Sequence, residues 1–88
     1  MRRLPTWSVG APLKRPVLSP REIEVLVAWL HTDSKEDVGR ALFITRSTVN
    51  THLSRIREKY ENVGRPARTK AALAARAIQD GFVDLFDL

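Results

Sequence analysis

Apolar residues recur at helical spacing in four stretches of this chain, and polar or helix-breaking residues separate the stretches. The pattern predicts helices over about residues 20–30, 35–42, 46–60 and 70–80. Spacings of three and four residues place the apolar side chains on one face of each helix, which has to be buried against another helix. We therefore expect an all-α fold, a compact domain of four helices.

The first helix has a complete set of start signals. Ser19 suits the N-cap, Pro20 the first helical position, and Glu22 completes a capping box. The apolar face that we expect to be buried consists of Ile23, Leu26, Val27 and Leu30.

The second helix begins after Ser34, a suitable N-cap, and is short. Its expected buried stripe is Val38, Ala41 and Leu42. Gly39 costs about 1 kcal/mol relative to Ala in a helix interior, so we expect the backbone of the following helix to approach it closely. Phe43 and Ile44 interrupt the period and are expected to be buried. A short helix, a short break and a longer helix have the outline of a helix-turn-helix.

The third helix, capped by Thr45, separates an apolar arc from a polar one. The apolar arc is Val49, Leu53, Ile56 and Tyr60. The opposite arc is Ser47, Thr51, Ser54 and Glu58, flanked by Asn50 and Arg55. Such a face can be a solvated surface, but solvated helices favour Glu and Lys. Short polar side chains instead allow a helix to lie deep against base edges, while Arg46, Arg55 and Arg57 at the borders can reach phosphates.

The fourth helix follows a loop over residues 61–68, in which Arg65 and Arg68 are expected to be exposed. Thr69 suits its N-cap, and Gly81 suits the position just after its end. Its apolar stripe is Leu73, Ala74, Ala77 and Ile78.

Both ends of the chain differ from the domain predicted over residues 18–83. Residues 1–17 contain three prolines and a glycine, which predicts an extended arm or linker. This arm is expected either to lie partly on the domain or be disordered, or to touch DNA through its basic residues. Residues 84–88 belong to an apolar and acidic end, FVDLFDL. We expect this C-terminal extension to pack on the domain or on a second copy of the chain; the alternative is docking to another protein.

Composition narrows the possible functions. Fifteen Lys and Arg against ten Asp and Glu give a formal charge of +5 over 88 residues, which favours a polyanionic partner. The chain has no Cys, and neither His31 nor His52 has carboxylates at metal-ligand spacing. The sequence also lacks a recognisable combination of nucleophile, base and orienting group, and it has no glycine-rich phosphate-binding loop. We therefore predict no metal, no cofactor and no enzymatic activity. No apolar run approaches the roughly 18 residues of a membrane span, so we expect a soluble protein of the cytoplasm.

Two segments, LSPREIEVL and SKEDVGRALFITRSTVNTHLSRIREKY, resemble the DNA-binding domain of LuxR-type bacterial transcription regulators. The resemblance covers roughly residues 18–83. It implies a four-helix domain whose third helix enters the major groove. The implied base-reading positions are Asn50, Thr51 and Ser54, with Arg55 close by. The implied phosphate contacts are Arg46, Ser47 and Thr48, and the cations Lys35 and Arg57 are added to them. The implied dimer contacts are Ala74, Ala75 and Ile78 in the fourth helix.

The sequence departs from this family pattern at three places. Asn50 stands where the family often has Lys, and an Asn amide can bind adenine through two hydrogen bonds. Thr32 and Asp33 replace a Gly and an apolar residue after the first helix. The connection before the fourth helix is about three residues longer than is usual in the family pattern.

The predicted function is sequence-specific binding of double-stranded DNA for transcription regulation, by a homodimer on two half-sites about one helical turn apart. The nucleoid would be its place of action. Two alternatives stay open at this stage. One is a promoter contact within RNA polymerase, as in the similar last domain of sigma factors, with the polymerase as a partner. The other is a protein-interaction module that uses the apolar C-terminal end.

Overall fold

The computed structural model of the protein describes residues 14–88. Within this range the chain forms four α-helices, α1 (Pro20–Leu30), α2 (Lys35–Leu42), α3 (Arg46–Asn62) and α4 (Lys70–Gln79). A short 3₁₀ turn follows at Leu85–Asp87, and no described residue lies in a strand. The predicted all-α, four-helix fold is confirmed, and α3 is two residues longer than predicted. Most of the arm predicted over residues 1–17 lies outside the described residues.

Each α-helix begins at a hydroxyl side chain that accepts a hydrogen bond from the backbone N–H three residues further on. The capping residues are Ser19, Ser34, Thr45 and Thr69, with oxygen-to-nitrogen distances of 3.1, 3.2, 3.1 and 3.0 Å. Each cap of this kind stabilises a helix by about 1 kcal/mol. The first is a full capping box, because the Ser19 backbone N–H also donates to Glu22 Oε1 at 2.8 Å. All four predicted helix starts are therefore confirmed.

Helix α3 is the centre of the core and contacts both α1 and α2. Its predicted apolar arc is fully buried, and α4 contributes Leu73 and Ala77 to the same cluster. The buried apolar residues of the described chain are Val25, Leu26, Val38, Val49, Leu53, Ile56, Tyr60, Ala67, Leu73, Ala77 and Val83. Because α3 is covered from several sides, one face of it is held rigidly while the opposite face stays open.

The buried face of α1 is rotated relative to the predicted one. Val25 and Glu22 are buried together with Leu26, whereas Ile23 and Val27 are only partly buried. The rotation follows from the position of α3, which covers the side of α1 that carries Glu22. Periodicity alone indicated that one face is buried but not which neighbouring helix covers it.

The end of α2 and the turn that follows it correct three predictions. Phe43 is 95% exposed, in the left-handed conformation at φ 57°, and Ala41 is exposed as well. The left-handed backbone conformation of Phe43, which ends α2, directs its side chain outward. Of the two residues expected to be buried here, only Ile44 is partly buried. A Cβ on Gly39 would lie 2.5 Å from the Ile44 carbonyl oxygen. The close backbone expected at Gly39 is therefore present, but it belongs to the turn and not to α3.

The loop after α3 corrects a further prediction, since Arg65 is buried rather than exposed. Its guanidinium pairs with Asp80 at the end of α4, and this pairing supplies the charge compensation that a buried cation requires. Arg68 is exposed as expected. Gly81 follows α4 with φ 77°, as a C′ glycine does.

The C-terminal end packs only in part within one chain. Val83 is buried and Phe82 is partly buried against the core, whereas the side chains of Leu85, Phe86 and Leu88 are exposed. No helix in the described part of the chain is long and apolar enough to span a membrane.

Candidate nucleic-acid interface

The outward arc of α3 is a polar surface made of small side chains. Ser47, Thr51 and Ser54 are exposed, and so is Glu58. Each lies opposite a fully buried apolar residue of the same helix. A helix of 17 residues is about 25 Å long, and nothing in the described chain covers this arc. Its size and shape suit an approach to a groove of nucleic acid.

The borders of the arc carry the other predicted contact residues. Asn50 and Arg57 are seven residues apart, so they lie on one side, and both are partly buried. Arg55 is exposed on the other side, next to Thr51 at a spacing of four residues. The Nε of Arg57 is buried without a hydrogen-bond partner among the described residues.

The first turn of α3 is ordered by its own hydroxyl groups. Thr45 Oγ1 accepts from the Thr48 backbone N–H and lies 3.0 Å from Thr48 Oγ1. Thr51 Oγ1 donates to the Ser47 carbonyl at 3.1 Å. The N-terminus of a helix carries a partial positive charge and free N–H groups, so this end of α3 can accept an anion such as a phosphate.

An ion pair links the start of α3 to the first turn of α2. Arg46 Nη1 lies 2.9 Å from Glu36 Oε1, and Ser34 Oγ donates to Glu36 Oε2 at 3.1 Å. Hydrogen bonds from its own backbone N–H and from Ser34, followed by the attraction of Arg46, hold the pKa of the Glu36 carboxyl below its usual value. The carboxylate is thus ionised at neutral pH. Sequence reasoning missed this pair, because ten residues and a turn separate its members.

Lys35, the first residue of α2, stands beside an aromatic ring. Its Nζ lies 5.7 Å from the centre of the Trp29 ring, and Lys70 Nζ lies 3.9 Å from the same centre. Lys70 also donates to the Thr32 carbonyl. Trp29 therefore joins the starts of α2 and α4 to the end of α1 through two cation–π contacts.

A partly buried ion pair joins α3 to the start of α1. Lys59 Nζ donates to Glu22 Oε1 at 2.6 Å, and the Glu22 side chain is 4% exposed. Burial alone raises the pKa of Glu22, but hydrogen bonds from Lys59 and from Ser19 outweigh it, so the pKa lies below its usual value. The capping role of Glu22 was visible in the sequence, whereas its partner 37 residues away was not.

The three residues predicted for a dimer contact lie on α4, where only Leu73 and Ala77 of the predicted apolar stripe are fully buried and Ile78 packs at the edge of the core. Ala75 is exposed, and Ala74 and Ile78 are partly buried. Beside Ile78 lies an open groove of about 510 Å³, whose walls include Val27 and Phe82. The structure thus leaves this part of α4 accessible.

A helix-turn-helix made of α2 and α3, with an open polar face on its second helix, defines a DNA-binding domain. The model of the family described as "Bacterial regulatory proteins, luxR family" matches residues 16–72 of this chain. The match covers more than half of the 88 residues. The chain belongs to this family and is a DNA-binding domain of the kind that regulates transcription; the family is one of regulators and not of enzymes. Comparisons with curated proteins and with solved structures gave no significant match.

Proposed function

We propose that this domain recognises particular sequences of double-stranded DNA by placing α3 in the major groove. The observation that carries the proposal is the contrast between the two faces of α3. One face is completely buried against α1 and α2, and the other presents exposed hydroxyl groups with an amide and cations at its borders. A rigid helix with short side chains can approach base edges without rearranging.

The base-reading residues of the proposal are Asn50, Thr51, Ser54 and Arg55. Asn50 has an amide that can bind adenine N6 and N7 in two-pronged fashion, and Arg55 can donate to guanine O6 and N7. Thr51 offers a methyl group for thymine, while its hydroxyl already donates to the helix backbone. Asn50 is partly buried, so its amide can reach only a narrow range of positions. This restriction favours discrimination between bases over contacts that adjust to any base.

The phosphate-binding residues of the proposal are Lys35, Arg46, Ser47, Thr48 and Arg57. Four of them lie in the first turns of α2 and α3, where helix dipoles favour negative charge. Contacts to phosphate set the register and orientation of the domain without reading sequence. They also make the affinity fall steeply as the salt concentration rises.

Single replacements test this division of roles. We expect Arg46→Ala to weaken binding to selected and random DNA alike and to reduce the salt slope by about one. Asn50→Ala should change the preferred base at particular positions, with losses of about 1–3 kcal/mol on the selected sequence only. In vitro selection with wild type and Asn50→Ala, followed by titrations at several salt concentrations, measures both effects. Equal losses on both kinds of DNA for every variant would refute the assignment.

We further propose that two copies bind neighbouring half-sites through α4, with Ala74, Ala75 and Ile78 at the contact. The exposed Leu85 and Phe86 on the C-terminal extension support this arrangement, since a second copy would cover them. The mass of the complex on DNA with one and with two half-sites tests it. Ala75→Asp, at the exposed position of this contact, should leave binding to one half-site intact and abolish the cooperative second step; unchanged cooperativity would contradict the α4 contact.

A further inference from the structure

The Arg46–Glu36 pair stands at the edge of the surface proposed to bind DNA. Both side chains are accessible, with 63% of Arg46 and 50% of Glu36 exposed. They line one shallow surface depression together with Arg40 and the turn residues Phe43 and Ile44. The pair is therefore at the surface, where a phosphate can reach the same guanidinium.

The Glu36 carboxylate is held where it is by more than one contact. Ser34, the cap of α2, donates to one carboxylate oxygen, and Arg46 donates to the other. The backbone of Glu36 belongs to the first turn of α2, which the Ser34 cap orders. Glu36 consequently stays near the start of α3 when Arg46 turns away from it.

A carboxylate and a phosphate compete for one guanidinium. If Arg46 contacts DNA, it has to exchange Glu36 for a phosphate oxygen, and the carboxylate is left without its partner beside a second negative charge. Both effects oppose binding, and neither depends on which bases are present, because phosphate contacts carry no sequence information. When Arg46 neutralises a phosphate, counterions are released from the DNA, and this release favours binding. The cost of separating Arg46 from Glu36 offsets part of that favourable free energy.

We infer that Glu36 is a positioning residue that lowers the affinity of the domain for every DNA sequence by holding Arg46 in the free protein. This inference rests on the proposed function, in which Arg46 binds phosphate. Glu36 sets the overall strength of binding, while the outer arc of α3 sets the preference. Because the pair is exposed, its effect is expected to be modest and to shrink with salt.

The test compares Glu36→Gln with wild type on selected and on random DNA at low salt. Gln keeps the size of the side chain and an oxygen that can accept from Ser34, but it lacks the charge. We expect binding to strengthen by about two- to fivefold on both DNAs, with the preference between them unchanged. The gain should be clearly smaller when the same change is made in an Arg46→Ala background, whereas a purely structural effect or simple repulsion from phosphate would leave it equal.

A matched control is Asp37→Asn, which removes an equal charge one residue further along α2. Asp37 pairs with Arg40, which is not a proposed DNA contact, so its replacement should strengthen binding by less than about twofold. Unchanged or weaker binding of Glu36→Gln, or an equal gain in the Arg46→Ala background, would overturn the inference. If wild type prefers no DNA sequence and Arg46→Ala loses nothing on any DNA, the proposed function itself has failed. A loss for Arg46→Ala without a gain for Glu36→Gln refutes only the role of Glu36.

Discussion

Arg65 and Asp80 form a buried, two-pronged ion pair that closes the domain. Arg65 Nη2 lies 2.9 Å from Asp80 Oδ1, Nη1 lies 3.1 Å from Oδ2, and their side chains are 6% and 1% exposed. Tyr60 donates from its hydroxyl to Asp80 Oδ2 at 2.8 Å. Burial, and then the neighbouring Asp80 carboxylate, raise the pKa of Tyr60, which therefore stays protonated as a donor. Arg65 Nη1 also donates to the Lys14 carbonyl at 2.6 Å. One guanidinium thus ties α3, α4 and the entering chain together.

Replacement of Arg65 by Met should destabilise the domain strongly. It would leave the Asp80 carboxylate buried with only Tyr60 as a donor, and an unpaired buried charge costs about 3–5 kcal/mol. Denaturant unfolding at pH 7 measures the loss. Arg68→Met is the control, because its contact to Glu61 is long, at 3.5 Å, and exposed; we expect a change below about 0.5 kcal/mol. Similar losses for the two variants would show that the buried pair is not a major source of stability.

Replacement of Gly39 by Ala should destabilise the domain and weaken DNA binding. The new Cβ would lie 2.5 Å from the Ile44 carbonyl oxygen, so the turn before α3 has to move. Such overpacking costs about 1–3 kcal/mol, against a gain of about 1 kcal/mol in helix propensity. Thermal unfolding and a DNA titration check both parts. Arg40→Ala, at the neighbouring exposed position, should leave stability nearly unchanged; if Gly39→Ala behaves like it, the close approach does not constrain the turn.

Replacement of Phe43 by Asn should leave stability unchanged or raise it by up to about 1 kcal/mol. Phe43 has the left-handed conformation and 95% of its surface is exposed, so its ring contributes little packing. Asn adopts this conformation more easily at a helix end. A buried Phe would instead lose about 3–5 kcal/mol on truncation. A loss of that size in urea unfolding would contradict the exposed position.

The ion pair between Glu22 and Lys59 should make stability depend on acid. The pKa of Glu22 is lowered in the folded state from its ordinary value of 4.5. The stabilisation is therefore complete above pH 4.5 and is lost as the pH falls through the lower folded pKa. Glu22→Gln keeps the capping geometry, and we expect it to cost about 1–3 kcal/mol at pH 7 and progressively less below pH 4.5. Unfolding from pH 7 to pH 3 measures this difference. Glu24→Gln, at an exposed position paired with Arg21, should show almost no such dependence.

Local patterns were enough to predict the helices and much of the core. The cap side chains and the apolar periods act within a few residues, so Ser19, Ser34, Thr45 and Thr69 appeared in the sequence as they do in the structure. The two arcs of α3 followed from the same kind of spacing. The positions of the proposed DNA contacts on an open face could be predicted for this reason.

Errors arose where a residue's environment depends on a distant part of the chain. The sequence predicts an exposed Arg65, because a cation in a polar loop is usually exposed. Its burial is possible only because the fold places Asp80, at the end of α4, beside it. Phe43 was expected to be buried because it is apolar, whereas the left-handed turn directs it outward. The pairing of Arg46 with Glu36 likewise depends on the angle at which α3 leaves this turn.

The sequence by itself determined four capped helices, an apolar face on each and a polar arc on α3, because hydrogen bonds at helix ends and side-chain periodicity are local properties. Only the tertiary structure decided which charges are buried, which are paired and which remain free to meet DNA. Those outcomes depend on distances between residues that are far apart along the chain, and the strength of an ionic interaction depends on such distances and on burial. For α3, the sequence determined which residues face outward, and the fold placed Glu36 beside the first of its arginines.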